Sequence, residues 1–145
     1  MLIDDVIALI EAHVADLAKR VEGAAELSGL VKQNALPPVT PAAFVLPLGL
    51  RGSEPDASAG LFRQTYDEVV GVVLVIEAPG DATGRAALPT MHALAMQVVL
   101  AVCGRAPSDQ VGVFRLLRGA LISLSAGTII YQLDFAIQDQ LRIAT

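Results

Sequence analysis

The sequence has little cysteine and few aromatic residues. Cys103 is its only thiol, tryptophan is absent, and aromatics make up 4% of 145 residues. One thiol cannot form an internal disulfide or a multi-cysteine metal site, so disulfide-stabilised scaffolds and multi-cysteine zinc modules are excluded. A reducing compartment is therefore the expected location. Because Cys103 lies in an apolar helical pattern, we predict a buried thiol and not a reactive one.

Long hydrophobic runs and an excess of basic residues are missing too. The longest apolar run, residues 69–76, has the length of a strand and falls short of the about 18 residues of a membrane-spanning helix. Asp4 and Asp5 follow the start with no basic segment, so we expect no secretory signal. The formal net charge of −5 argues against a dedicated DNA- or RNA-binding protein, although DNA could pass such a surface without being held.

Sequence motifs that carry catalysis are also absent. There is no GxSxG or GxGxxG, and residues 78–85 lack the glycine spacing and the lysine of a Walker A loop. We interpret this segment as a turn in which Asp81 or Thr83 caps the next helix. His13 and His92 stand apart from other potential ligands, so we predict no metal site and no cofactor. An enzyme with a carboxylate pair in a pocket leaves no such motif and stays open as an alternative.

Aliphatic residues are abundant instead. The hydrophobic fraction is 54%, the charged fraction 17%, and the mean hydropathy +0.58. A chain of this length buries about 70% of its unfolded surface, so residues 1–145 are expected to fold as one domain. So few charges beside so much aliphatic surface indicate that part of the surface is covered by other subunits.

Apolar residues spaced by three and four predict two main amphipathic helices. The apolar pattern of the first helix covers residues 3–21. The pattern of the second covers residues 88–102, and Gly104 is its predicted stop. A shorter helix is expected over residues 24–32, with an apolar side formed by Leu27, Leu30 and Val31.

The clearest strand pattern lies in the last third of the chain. From Ile129 to Ile137 the odd positions are mostly apolar, while Gln132 and Asp134 are polar, which is the period of a strand with one buried face. A serine and a glycine within residues 125–127 favour a tight turn. We therefore predict a hairpin of two strands, over residues 114–124 and 128–138.

Two further strands are expected earlier. Residues 43–46 form a short strand that Pro47 ends and places at a sheet edge. Residues 62–77 begin with polar side chains, and from Val69 both the odd and the even positions are apolar. This pattern predicts a central strand that is covered on both faces, with a bend or bulge at Gly71. The predicted class is α+β, a two-layer α/β fold. Its mixed, mostly antiparallel sheet of about four strands carries the two main helices on one face.

Three segments carry a family resemblance: PAAFVLPLG at residues 41–49, GVVLVI at 71–76, and RGAL with YQLDF at 118–121 and 131–135. In these segments and in the order of its elements, the chain resembles the tail-terminator family of long-tailed bacteriophages and prophages, together with related tail proteins of gene transfer agents. The resemblance implies an α/β subunit that assembles as a hexameric ring on the tail tube. It also implies that this ring stops tube polymerisation and offers a surface to the head-side connector protein.

The resemblance implies no catalytic residues and no cofactor. It implies a place at the head-proximal end of the virion tail, after assembly in the bacterial cytoplasm, with no membrane contact and with DNA passing through the ring unbound. Two alternatives stay open. One is another head–tail joining protein, such as a head-completion or stopper ring. The other is a bacterial adaptor or small-ligand-binding α+β domain, which predicts a stable monomer with a formed pocket.

Two contact surfaces are predicted on this basis. Residues 51–60 are polar and rich in turn formers, so we expect a mobile loop at about residues 49–61. This loop and the polar start of the long strand are expected to contact the tail tube or a neighbouring subunit, through Arg51, Glu54, Asp56, Arg63, Gln64, Tyr66, Asp67 and Glu68. The second face of the sheet is expected to form a subunit interface through Val73, Val75, Ile130 and Gln132.

Overall fold

Three α-helices and six strands form the part of the chain that the computed structural model describes, residues 2–81, 85–107, 112–125 and 127–144. The helices are α1 (Leu2–His13), α2 (Ala24–Lys32) and α3 (Ala87–Val102), with one 3₁₀ turn at Ala15–Leu17. The strands are β1 (Val21–Gly23), β2 (Ala42–Gly52), β3 (Asp56–Ser58), β4 (Leu61–Glu77), β5 (Arg115–Ser125) and β6 (Thr128–Ala144).

The strands form one sheet in the order β1-β2-β4-β6-β5, and β3 pairs with β4. Only β1 and β2 are parallel among the described pairs. The predicted α+β class with a mostly antiparallel sheet is confirmed, and α2 is the shorter helix expected over residues 24–32, but the number of strands was too low. The strands β1 and β3 have three residues each, which is too short for a repeating pattern to show in the sequence.

β4 and β6 pair along their whole length, from Leu61 opposite Ala144 to Glu77 opposite Thr128. Each strand has 17 residues, so the ribbon is about 55 Å long at about 3.3 Å per residue. The longest helix, α3, has 16 residues and spans only about 24 Å. The sheet therefore extends well beyond the helices that cover it.

The two main helices pack on one face of this sheet, as predicted. Val6 and Ile10 of α1 and Met91 and Val98 of α3 join the core that includes Leu74 of β4. We call this side the α1/α3 face; its central strand positions are Val70, Val72, Leu74 and Ile76 of β4 and Ile129, Leu133, Phe135 and Ile137 of β6. β4 lies between β2 and β6, so the predicted central strand is confirmed.

The helix α2 lies on the other side of the sheet, which we call the α2 face. Leu27 and Leu30 of α2 pack there on a small buried cluster, which consists of Ala42, Phe44, Val73 and Val75. Val31 was predicted on the apolar side of this helix, but it is 69% exposed because α2 meets the sheet through Leu27 and Leu30.

The first helix ends earlier than predicted. α1 stops at His13, the chain makes a 3₁₀ turn, and Lys19 adopts a positive φ of 62° before β1 begins at Val21. Val14 and Leu17 are fully buried although they lie beyond α1. The apolar residues therefore keep their spacing of three and four beyond His13 because the turn also packs on the core. Their spacing does not indicate a continuous helix.

β2 is also longer than predicted, because a register shift between Pro47 and Gly49 lets the strand continue to Gly52. Its pairing with β1 ends at Val45, so Pro47 lies where β2 has no described neighbour on that side. The bulge expected at Gly71 lies in β2 instead. A Cβ at Gly71 would stand 2.9 Å from Leu48 Cδ1, so this glycine makes room for the Leu48 side chain.

The segment predicted as a mobile loop is largely strand. β2 takes residues up to Gly52 and β3 takes Asp56–Ser58, so only residues 53–55 and 59–60 connect strands. Short polar strands at a sheet edge carry turn-like composition because their side chains face water. The mobility of this segment stays a prediction.

The loop before α3 is the capping turn that the sequence predicts, and Asp81 performs that role. Its Oδ2 accepts hydrogen bonds from the backbone N–H groups of Ala86 at 3.1 Å and Ala87 at 3.0 Å. These two groups would otherwise lack partners at the start of the helix. Thr83, the other predicted cap, lies outside the described residues.

The predicted hairpin is present as β5 and β6, with Ser125 paired to Thr128 across the turn. Gly127 has a φ of 80°, and its carbonyl accepts a hydrogen bond from the Ala78 N–H at 2.6 Å. A Cβ at Gly127 would lie 2.7 Å from the Ala78 carbonyl oxygen. The turn thus requires glycine both for its backbone angle and for this close approach.

We predict that Gly127→Ala lowers the free energy of unfolding by about 3 kcal/mol, measured by urea denaturation followed by circular dichroism. Gly80→Ala is the matched control. Gly80 has a similar φ of 85° but nothing within 4 Å of an added Cβ. The Gly80→Ala variant should lose only about 1–2 kcal/mol of the free energy of unfolding, which is the cost of alanine in a left-handed conformation. Equal losses would show that the Ala78 contact is unimportant.

Candidate functional site

Beyond the helices the sheet continues as an arm, which we define as residues 50–68 and 138–144. Side chains from 138 to 144 and from 50 to 60 are all exposed, while those from 61 to 68 are half-buried between neighbouring strands. All eight residues predicted to contact the tail tube or a neighbour lie in this arm. The structure therefore brings that predicted set together in one projecting element.

The arm has two chemically different faces because successive residues of a strand point to opposite sides. Cross-strand partners share a face, and Arg51 pairs with Asp67 while Arg63 pairs with both Asp56 and Arg142. We call this side the charged face of the arm. It continues the α2 face of the sheet.

The other side, the apolar face of the arm, continues the α1/α3 face. Phe62 pairs there with Ile143, Gln64 with Leu141, and Leu50 with Glu68. Leu50 is 70% exposed, Ile143 51% and Leu141 40%. Gln64, Tyr66 and Glu68 were predicted as one set with Arg63 and Asp67, but strand alternation puts the two groups on opposite faces.

One ion pair on the charged face is well formed. Arg115 of β5 donates to both carboxylate oxygens of Asp67, at 3.1 and 2.8 Å, and the Asp67 side chain is only 14% exposed. The Arg115 hydrogen bonds hold the pKa of Asp67 below its ordinary value. Sequence reasoning missed Arg115, since it reaches Asp67 across β6 and the two residues are 48 positions apart.

The remaining charges on this side are less constrained. Arg63 meets Asp56 at 2.7 Å, but both side chains are well exposed. Arg51, Arg118 and Arg142 have no salt bridge to a carboxylate of the described residues. The charged face thus presents guanidinium groups that a partner's carboxylates or backbone carbonyls could meet.

We predict that Asp67→Asn lowers the free energy of unfolding by about 1 kcal/mol at pH 7, and that Asp56→Asn, the matched control with an exposed pair, costs less than about 0.5 kcal/mol. The pKa of Asp67 is depressed on folding, so its contribution is complete above the unfolded value of about 3.9. It disappears as the pH falls through the lower folded pKa. Urea titrations from pH 7 to pH 2 test this, and a difference that does not shrink as the pH falls below the unfolded value would contradict it.

Tyr66 is tied to the opposite strand on the apolar face of the arm. Its hydroxyl donates to Asp139 Oδ2 at 3.4 Å. Burial, followed by the negative charges of Asp139 and Glu68, raises the pKa of the Tyr66 phenol. The hydroxyl therefore stays protonated and remains a donor at neutral pH.

The second predicted surface is partly closed within the chain. Val73 is 9% and Val75 3% exposed, because α2 supplies the cover that was expected from a neighbouring subunit. Ile130 is half-buried beside this cluster, and Gln132 donates to Asp134 Oδ1 at 2.8 Å. Ile130 and Gln132 therefore lie at the border of the covered region, where a subunit contact stays a proposal.

The outer side of α3 is a further surface, which sequence reasoning did not single out. Leu88, His92, Met96 and Leu100 follow each other at steps of four and are all exposed; Leu100 reaches 70% and Met96 44%. Leu88, the first apolar residue of the predicted helix, also faces outward and is 37% exposed. No charged residue occurs among the 16 residues of α3. A surface helix without charges is unusual, and this absence was readable in the sequence.

The rest of the described ranges offers few groups that could bind a metal ion or react. No three His, Cys, Asp or Glu side chains in them are close enough together to hold a metal ion. None of the described helices is both long and apolar enough to span a membrane. Cys103 follows the last residue of α3 and is only partly buried, and burial raises the pKa of its thiol. The predicted buried cysteine is therefore half-buried, with a thiol that is protonated at neutral pH.

Comparisons with known proteins give a family match and a structural match. The phage tail terminator protein family matches residues 2–145. A solved chain from the virion of a native gene transfer agent particle shares the fold with a TM-score of 0.58 at 16% identity, covering 97% of this chain and 95% of that one. No curated protein matches the sequence significantly. The resemblance seen in the sequence is confirmed. The chain therefore belongs to the phage tail terminator protein family, and it is a structural protein of the virion tail.

Proposed function

We propose that copies of this chain form a ring, expected to be a hexamer, on the head-proximal end of the tail tube. The ring stops the addition of tube subunits and provides the surface to which the head-side connector protein binds. The observation that carries the proposal is the family match over residues 2–145. This match favours a terminator over a head-completion or stopper protein.

The surface of the chain is consistent with repeated assembly. The apolar face of the arm exposes Leu50, Leu141 and Ile143 beside the carboxylates of Glu68 and Asp139, and the outer side of α3 exposes Leu88, Met96 and Leu100, so one subunit carries two different surfaces with exposed apolar side chains. An assembly that joins two different surfaces runs head-to-tail and closes into a ring when the rotation between copies allows it. A net charge of −5 suits a ring that DNA passes without being held.

The charged face of the arm is proposed as the contact with the tail tube. It projects beyond the helices, and it carries Arg51, Asp56, Arg63, Asp67 and Arg142. Glu54 lies in the adjoining connection between β2 and β3. Charged groups of both signs at the rim of a contact define its orientation more than its affinity.

Removal of the gene from cells that produce the particles tests the proposal. Tail tubes of irregular and excessive length, without attached heads, are expected from electron micrographs, and expression of the chain from a plasmid should restore both length and head attachment. Tails of normal length with heads attached in the absence of the chain would overturn the proposal. An excess of separate, complete heads and complete tails would favour the alternative of a joining protein that acts after tube completion.

A further inference from the structure

A cleft opens on the α2 face of the sheet, at the level where the arm begins. Its walls come from β2 and β5, and its floor comes from β4 and β6, the strands between them. The cleft has a volume of about 470 Å³, within the range of about 300–1,000 Å³ that is typical of ligand sites. Its lining includes Leu48 and Arg51 of β2, Val69 of β4, Leu117 and Arg118 of β5, and Asp134 of β6.

Two bulges shape the walls of this cleft at one level of the sheet. The register of β2 against β4 shifts after Pro47, and the register of β5 against β6 shifts after Leu116. Both residues lie level with Val70, because Pro47 pairs with it directly and Leu116 is connected to it through β6. Each shift adds one residue, Leu48 in β2 and Leu117 in β5, and both line the cleft. Since a bulge bends its strand and redirects a side chain, the paired bulges account for the cleft.

The cleft carries more positive than negative charge, although the net charge of the chain is −5. Arg51 and Arg118 line it, and neither has a salt bridge to a carboxylate of the described residues. Asp67 is the cross-strand partner of Arg51, but both of its carboxylate oxygens already accept hydrogen bonds from Arg115. Asp134 supplies one negative charge to the lining. Two guanidinium groups against one carboxylate leave positive charge for an acidic partner.

We infer that this cleft binds a tail tube subunit through a carboxylate side chain that has an aliphatic side chain beside it. Arg51 and Arg118 hold the carboxylate, because guanidinium groups bind carboxylates through charge-assisted hydrogen bonds. The aliphatic side chain packs on Leu48, Val69 and Leu117. The inference rests on the proposed function, in which the charged face of the arm contacts the tube.

The lining of the cleft favours a protein segment over DNA. A DNA strand carries a negative charge at every nucleotide, and Asp134 would repel such a chain of charges. Leu48 is 44% exposed, and covering it favourably requires an apolar group, which a phosphate backbone does not provide. A single carboxylate beside an aliphatic side chain satisfies both conditions.

Binding to assembled tail tubes tests the role of the two arginines. A double variant, Arg51→Gln with Arg118→Gln, removes both charges and keeps side chains of similar length. Its dissociation constant for tubes, measured by co-sedimentation, should be larger by at least about tenfold. Lys19→Gln with Arg105→Gln is the matched control, since it removes the same charge from two exposed residues outside the arm. The control should bind like the unmodified chain, and circular dichroism should show both variants folded.

Carbodiimide coupling tests which group occupies the cleft. Arg118→Lys keeps the positive charge and supplies a primary amine, which a carbodiimide joins to a carboxylate that is in contact with it. With assembled tubes we expect an amide between position 118 and an aspartate or glutamate of the tube subunit, located by mass spectrometry. The unmodified chain has no primary amine at this position and should give no such product.

The outcomes separate this inference from the proposed function. Unchanged tube binding by the double variant, or an equal loss in the matched control, overturns the role of the cleft while the unmodified chain still stops tube growth. The absence of a cross-link to the tube subunit, or a cross-link to a second copy of this chain alone, overturns it too. So does binding of duplex DNA that the double variant loses. An unmodified chain that neither binds tubes nor stops their growth overturns the proposed function itself.

Discussion

Phe135→Ala is expected to destabilise the folded chain by about 3–5 kcal/mol. Phe135 lies in the middle of β6, paired with Val70 and Leu116, and is fully buried in the core under α1 and α3. Its replacement removes the transfer free energy of an aromatic ring and leaves a cavity that the paired strands cannot close. Since domains are stable by only about 5–15 kcal/mol, a large share of the total is lost.

The matched control for this substitution is Phe62→Ala. Phe62 is the same residue type in the same sheet face, but it is half-buried in the arm. Its loss should cost less than about 1.5 kcal/mol, because part of its surface already contacts water. Urea unfolding followed by circular dichroism gives both values. Similar losses for the two variants would contradict the view that the arm lies outside the packed core.

The double substitution Leu141→Asp and Ile143→Asp is expected to abolish the control of tail length while the free energy of unfolding changes by less than about 1 kcal/mol. Both side chains are exposed on the arm, so they contribute little to folding. We expect both side chains to contact a neighbouring copy in the proposed ring, where a buried and unpaired carboxylate is strongly unfavourable. The measurement is the distribution of tail lengths from cells that produce only the variant chain.

Val31→Asp is the control for that experiment. Val31 is exposed on α2, which packs on Ala42, Phe44, Val73 and Val75 on the face of the sheet opposite α3. Particles with this variant should have tails of normal length. The proposed role of the arm fails if the double variant also gives normal tails. An unfolded variant would contradict the small expected change in the free energy of unfolding.

The strand ribbon could be predicted from the sequence because its signals are local. β4 and β6 alternate or run apolar over many residues, and Gly127 marks the turn between β5 and β6. The predicted end of β6, Gln138, is six residues early, because the polar residues beyond it hide the alternation of Leu141 and Ile143. The predicted contact set therefore includes Gln64, Tyr66 and Glu68 on the apolar face of the arm but misses Leu141 and Ile143.

Features that depend on long-range contacts were not predictable. The cover over Val73 and Val75 comes from α2, a helix without any fully buried residue of its own. The Arg115–Asp67 pair requires knowledge of the strand order, because it spans an intervening strand. The lack of charge in α3 was visible in the sequence, but only the structure shows which of its side chains face outward.

Electron microscopy of tail tube protein polymerising with and without the purified chain tests the central claim most directly. A terminator ring predicts that one end of each tube carries a ring, built from copies that contact head-to-tail, and that tubes stop growing once the ring is in place. Bare tube ends and identical growth in both samples would contradict it.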